Sequence, residues 1–221
     1  MGCGPADLWR ENAGRIPAGW DVTPTDFSEG MIAAAVANAS KQRNLAGVGR
    51  AFTFKQADAQ DLPFEADTFD ALIANHMLYH VPDRTCAFAE IRRVLKPGGA
   101  FYAATNGERH MMELWQLLEP YIPNCSARAL EVSKGFLLEN GAAQLTAAGF
   151  TDIVWRNRSD ALEITEVEPV MAYIQSSNTL MDHAWTEAQL DAVRAEVAAR
   201  IAAEGAFHIG KVAGLFVARA I

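Results

Sequence analysis

Glycines and acidic side chains stand in this sequence at spacings that suit a nucleoside site. The turn Gly2-Cys3-Gly4 would let a ligand approach the backbone closely, because glycine has no Cβ and tolerates positive φ. Asp26 lies about twenty residues further on, where a carboxylate can accept both hydroxyls of a ribose. Asp58, followed by the small Ala59, can accept a hydrogen bond from the exocyclic amine of an adenine. Together these residue types predict a nucleoside cradle.

Each of these features also has a structural interpretation. A lone Gly-x-Gly is more often a tight turn than a ligand contact, and its diagnostic context is a preceding strand. Asp26 could start a helix beside Ser28, and Asp58 could form a turn. Only the spacing of all three features together indicates a site.

Strands of a parallel sheet would have to position these residues. Apolar runs predict strands over Trp20 to Asp26, Ala51 to Ala57, Phe69 to Ala74 and Ala100 to Thr105. Helical periodicity predicts helices over Asp7 to Arg15, Ser28 to about Arg43 and Arg84 to Leu95, the last ended by Lys96-Pro97-Gly98-Gly99. This alternation is typical of an α/β fold with helices on both faces of a parallel sheet. Such sheets bind ligands at the carboxyl ends of their strands, where Asn75 and Asn106 also stand.

The alternation loosens beyond Gly107. The pattern there predicts helices near Met111 to Leu118, Ala142 to Ala148 and Glu187 to Ala203, a broken stretch over 120–134, and strands over Asp152 to about Arg158 and Phe207 to Ala218. Without an internal repeat, we expect one domain over residues 1–221 with an insertion at about 107–140. Met111, Met112, Trp115 and Tyr121 in that insertion favour either ordinary core or the wall of a small, partly apolar substrate site.

Composition excludes several classes of function. The chain has 221 residues with 27 acidic against 19 basic side chains and a net charge of -8, which disfavours binding to nucleic acid. Three scattered cysteines predict no disulfide framework, and hence a cytoplasmic protein. No signal peptide or apolar run of membrane-spanning length is evident, and Ala6 stands where a myristoylation motif requires Ser or Thr.

Six segments in order carry a family resemblance: Gly2-Cys3-Gly4-Pro5, Thr25-Asp26-Phe27-Ser28, Ala57-Asp58-Ala59 with Leu62-Pro63-Phe64, Phe69-Asp70, Asn75-His76 with Tyr79-His80-Val81-Pro82-Asp83, and Glu90 to Gly99. They resemble the successive motifs of class I S-adenosylmethionine-dependent methyltransferases, in particular the type 11 small-molecule enzymes related to ubiquinone and menaquinone biosynthesis. The resemblance runs from Gly2 to about Asn106. It implies a Rossmann-like, doubly wound, mostly parallel sheet with an antiparallel C-terminal strand.

The resemblance also implies a function. The chain would transfer a methyl group from S-adenosylmethionine to a small molecule and release S-adenosylhomocysteine. It implies these positions around the cofactor: Gly2, Cys3 and Gly4 at the methionine part, Asp26 at the ribose, Phe27 beside the adenine, Asp58 and Ala59 at the adenine edge, and Asn75 near the transferred methyl. A nicotinamide dehydrogenase also uses such a turn but has no need of the Asp-Ala and Lys-Pro-Gly-Gly segments.

His80 is the expected catalytic base, with Tyr79 or His76 behind it. A histidine after a strand can equally hold a loop by hydrogen bonding, so both roles stay open. His76 and His80 are four residues apart, but no third ligand accompanies them, and we expect no metal.

Two departures from the family pattern matter. Ala6 occupies a third small position that is usually glycine, and the first strand and the helices before it have no counterpart in this sequence. We expect that loss to leave strand edges unpaired, unless another segment or a second copy in a homo-oligomer pairs with them. The alternative to an active methyltransferase is therefore a catalytically impaired, methyltransferase-like binding or assembly module.

Overall fold

The computed structural model describes residues 1–17, 19–41, 52–176 and 183–221. These residues form two compact units. The first comprises 1–105, 141–155 and 215–221, and the second comprises 106–140 and 156–214. The predicted end of the second helix near Arg43 and the predicted strand start at Ala51 lie outside the described residues.

Six strands confirm the α/β class. They are β1 (Thr25–Asp26), β2 (Lys55–Gln56), β3 (Phe69–Asn75), β4 (Leu95–Asn106), β5 (Thr151–Ile164) and β6 (Phe207–Arg219). The first two form a parallel pair, whereas the others form a four-stranded sheet in the order β3-β4-β6-β5. Strands β3 and β4 are parallel, with Ala71 opposite Ala100 and Asn75 opposite Ala104.

Strands β1 and β2 are shorter than predicted, although backbone hydrogen bonds extend beyond them. The carbonyl groups of Val22, Pro24 and Asp26 accept hydrogen bonds from Thr53, Lys55 and Ala57, at 3.0 to 3.1 Å. Pro24 has no N–H to donate in return, which interrupts the regular ladder. Val22 and Phe52 consequently form an isolated parallel bridge.

The C-terminal strand runs antiparallel to β4, as predicted. Gly98 N donates to Ala220 O at 2.9 Å and Ala220 N donates to Gly99 O at 3.0 Å, whereas further along the strands Gly107 N donates to Val212 O. Strand β4 begins immediately after the preceding helix, so Lys96 to Gly99 belong to the strand rather than to a separate turn.

Eight α-helices are described: α1 (Asp7–Glu11), α2 (Glu29–Lys41), α3 (Arg84–Val94), α4 (Met112–Leu118), α5 (Cys125–Ser133), α6 (Leu138–Ala147), α7 (Val167–Ser176) and α8 (Glu187–Glu204). Helix α5 corrects the prediction of a broken stretch over 120–134. It starts after Asn124, whose left-handed backbone (φ 60°) permits a sharp change of direction. Asp83 accepts a hydrogen bond from Cys86 N and so caps α3.

The second unit has its own apolar core. Helices α4, α7 and α8 contribute Leu114, Leu118, Met171, Ile174, Val193 and Val197. Trp115 is buried in this core, and Met111 and Tyr121 pack against it. The aromatic and methionine residues of the predicted insertion therefore supply core packing.

Candidate cofactor-binding site

The glycine turn follows from two residues with positive φ. Gly2 has φ +61° and Gly4 has φ +50°, a conformation that side chains bearing a Cβ rarely adopt. A Cβ on Gly2 would lie 2.7 Å from Cβ and Cγ of Met77, so this glycine permits close packing. Apart from Gly4 and its two chain neighbours, no described residue has a heavy atom within 4 Å of a Cβ placed on Gly4. The turn is thus packed on one side and open on the other.

Asp26 joins the glycine turn to the end of β1. Its Oδ2 accepts a hydrogen bond from Gly4 N at 2.8 Å, and its Oδ1 accepts one from Ser28 N at 3.0 Å. Cys3 N donates to Thr25 O at 2.9 Å on the same strand. A carboxylate has about four lone-pair positions, so Asp26 retains acceptor capacity beyond these two bonds.

Phe27 presents its ring to solvent directly after this carboxylate. It is 71% exposed, an unusual state for a phenylalanine. Its carbonyl oxygen accepts a hydrogen bond from Gln56 Nε2 at 2.9 Å, which fixes the backbone between β1 and β2. The ring is available to stack on a planar ligand.

Asp58 and Ala59 follow β2, and Asp58 organises the turn after them. Its Oδ1 accepts hydrogen bonds from Gln60 N at 2.9 Å and from Gln60 Nε2 at 3.1 Å. Ala59 is buried against Val81 and Ala87, with Met1 and Met77 packed on the same cluster. Asp58 therefore forms a turn, which is the structural role that the sequence also allowed. The small side chain of Ala59 is needed for packing.

A charge pair outside the predicted site residues fixes the next loop. Glu90 Oε2 accepts hydrogen bonds from Leu62 N at 2.8 Å and from Arg93 Nη2 at 2.6 Å. Arg93 also donates to the carbonyl groups of Leu62 and Phe64, at 2.9 and 2.7 Å. The Arg93 guanidinium lowers the pKa of the Glu90 carboxyl. In the sequence, the Glu90–Arg93 pair is marked only by its position within the Glu90 to Gly99 segment.

The expected catalytic residues lie just beyond the carboxyl end of β3. Asn75 ends the strand half-buried, and His76 turns the chain with φ 51°. Tyr79 and His80 lie in a 3-10 turn over Leu78–His80, with their ring centroids 4.5 Å apart. Burial raises the pKa of Tyr79 above the ordinary value of 10.0. His80 is exposed.

The first unit therefore contains all the predicted site residues. Direct contacts join the glycine turn to Asp26, and close packing joins it to Met77 after β3. Within the described residues no group of three or more His, Cys, Asp or Glu side chains could hold a metal ion. No described helix is both long and apolar enough to cross a membrane.

A glycine turn, acidic residues after two parallel strands and an exposed aromatic ring define a Rossmann-like α/β protein with a candidate nucleoside site. Residues 1–103 match the type 11 methyltransferase family, described as "Methyltransferase domain". Over these residues the predicted resemblance to class I, S-adenosylmethionine-dependent methyltransferases is confirmed.

Two curated relatives carry the likeness at the level of sequence. A demethylmenaquinone methyltransferase of Staphylococcus haemolyticus is 32% identical over 119 residues, which are 54% of this chain and 47% of the relative. A ubiquinone/menaquinone biosynthesis C-methyltransferase of Acidiphilium cryptum is 27% identical over 159 residues, 65% of this chain and 62% of the relative. The match thus spans less than two thirds of either relative.

Solved structures support the fold. An S-adenosylmethionine-dependent methyltransferase of Methanosarcina mazei superposes with a TM-score of 0.60 and 19% sequence identity, covering 100% of this chain and 90% of that one. At this identity the likeness establishes the Rossmann-like fold and nothing finer.

Proposed function

We propose that this protein transfers a methyl group from S-adenosylmethionine to a small-molecule acceptor. The observation that carries the proposal is the hydrogen bond between Gly4 N and Asp26, which brings the open side of the glycine turn next to a carboxylate. The match of residues 1–103 to the methyltransferase family and the names of the two curated relatives support the same reaction.

The residues present fit this cofactor. Gly4 leaves open space where a side chain would stand, and Phe27 offers an exposed aromatic face for the adenine. Asp26 retains lone pairs for the ribose hydroxyls, while Asp58 and Ala59 would meet the adenine edge. Gly2 and Cys3 would border the methionine part, and Asn75 the methyl group.

When bound, S-adenosylmethionine supplies an electrophilic methyl on a sulfonium sulfur. The protein's task is then to align the acceptor with the methyl–sulfur bond and to exclude water. We assign His80 the role of general base. It would take the proton that the acceptor atom loses as that atom bonds to the methyl carbon. The Tyr79 phenol, whose pKa burial raises further above neutrality, would position the acceptor or the His80 ring by donating a hydrogen bond.

The net charge of -8 favours a small-molecule acceptor over nucleic acid. The scarcity of cysteine favours the cytoplasm. Because the names of the curated relatives refer to demethylmenaquinone and to ubiquinone and menaquinone biosynthesis, aromatic quinone-type acceptors are the first class to screen.

Isothermal titration calorimetry with S-adenosylmethionine and S-adenosylhomocysteine tests the cofactor assignment directly. We expect binding of both by the wild-type chain and by the matched surface variant Asp191→Asn, and weaker binding by Asp26→Asn. If the chain is folded and neither compound binds to it, the proposal is wrong. Binding without turnover of any acceptor would favour the alternative, a methyltransferase-like binding module.

A further inference from the structure

The side chain of Gln60 lies between two segments of the candidate site. Its Nε2 donates hydrogen bonds to both carboxylate oxygens of Asp58, at 3.1 Å to Oδ1 and 3.2 Å to Oδ2. Its Oε1 accepts a hydrogen bond from Asp83 N at 3.0 Å. Asp58 follows β2, whereas Asp83 ends the loop after the 3-10 turn of the expected catalytic residues. One amide group therefore joins the two segments.

The partners of this amide group permit only one orientation. An ionised carboxylate can only accept hydrogen bonds, and a backbone N–H can only donate them. Exchanging Nε2 and Oε1 would place an oxygen against the Asp58 carboxylate and an NH₂ group against Asp83 N. The hydrogen bonds to both partners would then be lost, so they hold the Gln60 side chain in the orientation observed.

The backbone of Gln60 is fixed as well. Its N–H donates to Asp58 Oδ1 at 2.9 Å, and its carbonyl oxygen accepts a hydrogen bond from Cys86 Sγ at 3.1 Å. Asp83 in turn accepts a hydrogen bond from Cys86 N at 3.0 Å. Gln60 and Asp58 are both half-buried, which strengthens these bonds relative to bonds in open water. Gln60 is therefore a fixed point against which the Asp58 carboxylate is oriented.

This orientation leaves a defined part of the Asp58 carboxylate available. The two oxygens of a carboxylate offer about four lone-pair positions. Oδ1 accepts hydrogen bonds from both N and Nε2 of Gln60, whereas Oδ2 accepts one from Nε2 alone. These contacts leave one acceptor position on Oδ2. A single N–H of an exocyclic amine needs one such position.

We propose that Gln60 is a positioning residue for recognition of the adenine base. It orients the Asp58 carboxylate so that Oδ2 accepts a hydrogen bond from the exocyclic amine, and it ties this carboxylate to Asp83. The inference rests on the proposed function, because it takes S-adenosylmethionine or its product as the ligand. It adds that Gln60, acting through Asp58, sets the preference for adenine over a purine with an oxygen in place of the amine. Such an oxygen would face the carboxylate as a second acceptor and be rejected.

Calorimetry with S-adenosylhomocysteine and S-inosylhomocysteine tests this inference, because the inosine compound has an oxygen where the adenosine compound has the amine. We expect the wild-type chain to bind the adenosine compound about tenfold more tightly or better. Gln60→Met keeps the length of the side chain but removes its donor. It should raise the Kd for S-adenosylhomocysteine about fivefold or more, and the Kd for the inosine compound by less than about twofold. Gln116→Ala, at an exposed position of α4, is the matched control and should change neither.

Gln60→Glu separates the two contacts of the amide group. It keeps an oxygen for Asp83 N but replaces the donor to Asp58 with a second carboxylate oxygen. We expect it to weaken binding of S-adenosylhomocysteine at least as much as Gln60→Met does. Hydrogen exchange at the Asp83 amide should stay within about threefold of wild type in Gln60→Glu and become about tenfold faster in Gln60→Met.

Thermal unfolding establishes that each variant is folded. A loss of affinity that is equal for the two compounds would mean that Gln60 only holds the turn, and the inference would be wrong. It would also be wrong if the wild-type chain bound the two compounds equally well, although the proposed function would then stand. A wild-type chain that binds neither compound would overturn the proposed function and this inference with it.

Discussion

The Asp26 carboxylate accepts a hydrogen bond from Gly4 N at 2.8 Å, across 22 positions in the sequence. The same side chain accepts a hydrogen bond from Ser28 N at 3.0 Å and so also fixes the start of α2. A single carboxylate therefore couples the glycine turn, the end of β1 and the first turn of a helix. Cofactor binding and local stability are expected to respond together when it is changed.

We predict that Asp26→Asn weakens binding of S-adenosylhomocysteine by about 1–3 kcal/mol, or roughly 5–150-fold in Kd. The amide offers one acceptor where the carboxylate offers two, and its NH₂ group opposes a backbone N–H. Calorimetry measures the affinity, and Asp191→Asn on exposed α8 is the matched control. Unchanged affinity would show that Asp26 does not contact the cofactor.

The two glycines of the turn should respond differently to alanine. Gly2→Ala brings a Cβ to 2.7 Å from Met77 at φ +61°, and we expect it to lower the free energy of unfolding by about 2–4 kcal/mol. Gly4→Ala meets open space, so the cost is backbone strain of about 1 kcal/mol. Urea denaturation measures both. Gly4→Ala should nevertheless lose cofactor affinity, and a variant that binds normally would contradict the ligand's place beside Gly4.

His80→Gln should lower kcat at least tenfold once an acceptor is known, while the Kd for S-adenosylhomocysteine stays within about twofold. Tyr79→Phe should raise KM or lower kcat by a smaller factor, since it removes a hydrogen-bond donor without removing the base. His208→Gln, an exposed histidine on β6, is the matched control. An equal loss of cofactor affinity in His80→Gln would indicate that this residue holds the loop instead.

Acidification should release the Leu62 to Phe64 loop. The pKa of Glu90 is lowered from 4.5 through its hydrogen bonds with Arg93, so the stabilisation is complete above about pH 4.5 and is lost as pH falls through the lower folded pKa. Glu90→Gln should destabilise the protein by about 1–2 kcal/mol at neutral pH and flatten the acid limb of its stability curve. Asp70→Asn, which breaks the exposed ion pair with Lys96, should have little effect. An acid limb that is the same in Glu90→Gln and wild type would exclude Glu90 as its cause.

The Met1 ammonium gives a pH dependence of the same sign at higher pH. Burial lowers its pKa from 8.0, although the nearby Cys3 and Asp26 groups act to raise it. The folded state therefore binds fewer protons than the unfolded state, and stability should rise with pH from the folded pKa up to about pH 8. Urea denaturation between about pH 6 and 9 measures this slope, with intact mass confirming that Met1 is retained. Acetylation of the N-terminus should remove the slope, and a slope that persists would assign it to another group.

Much of the fold could be predicted from local patterns. The apolar run over Phe69 to Ala74 and the periodic apolar residues of α3 are each sufficient to predict their elements, because burial on a strand or on one helix face leaves a local signal. Helix α5 was missed because its start depends on the left-handed backbone of Asn124, which the sequence pattern does not reveal. The short β1 follows from Pro24, whose missing N–H weakens a ladder that the apolar pattern alone would extend.

The sequence by itself determined the resemblance to the methyltransferase family and the order of the residues proposed for the cofactor, since these depend on residue type and spacing. The tertiary structure decided which of those residues touch one another, because the contacts of Asp26 with Gly4 and of Met1 with Ile73 join segments 22 and 72 residues apart. It also decided that β1 and β3 belong to separate sheets. Strand pairing is a long-range property of backbone hydrogen bonds, which every residue type other than proline can form, so the sequence carries little local signal for it.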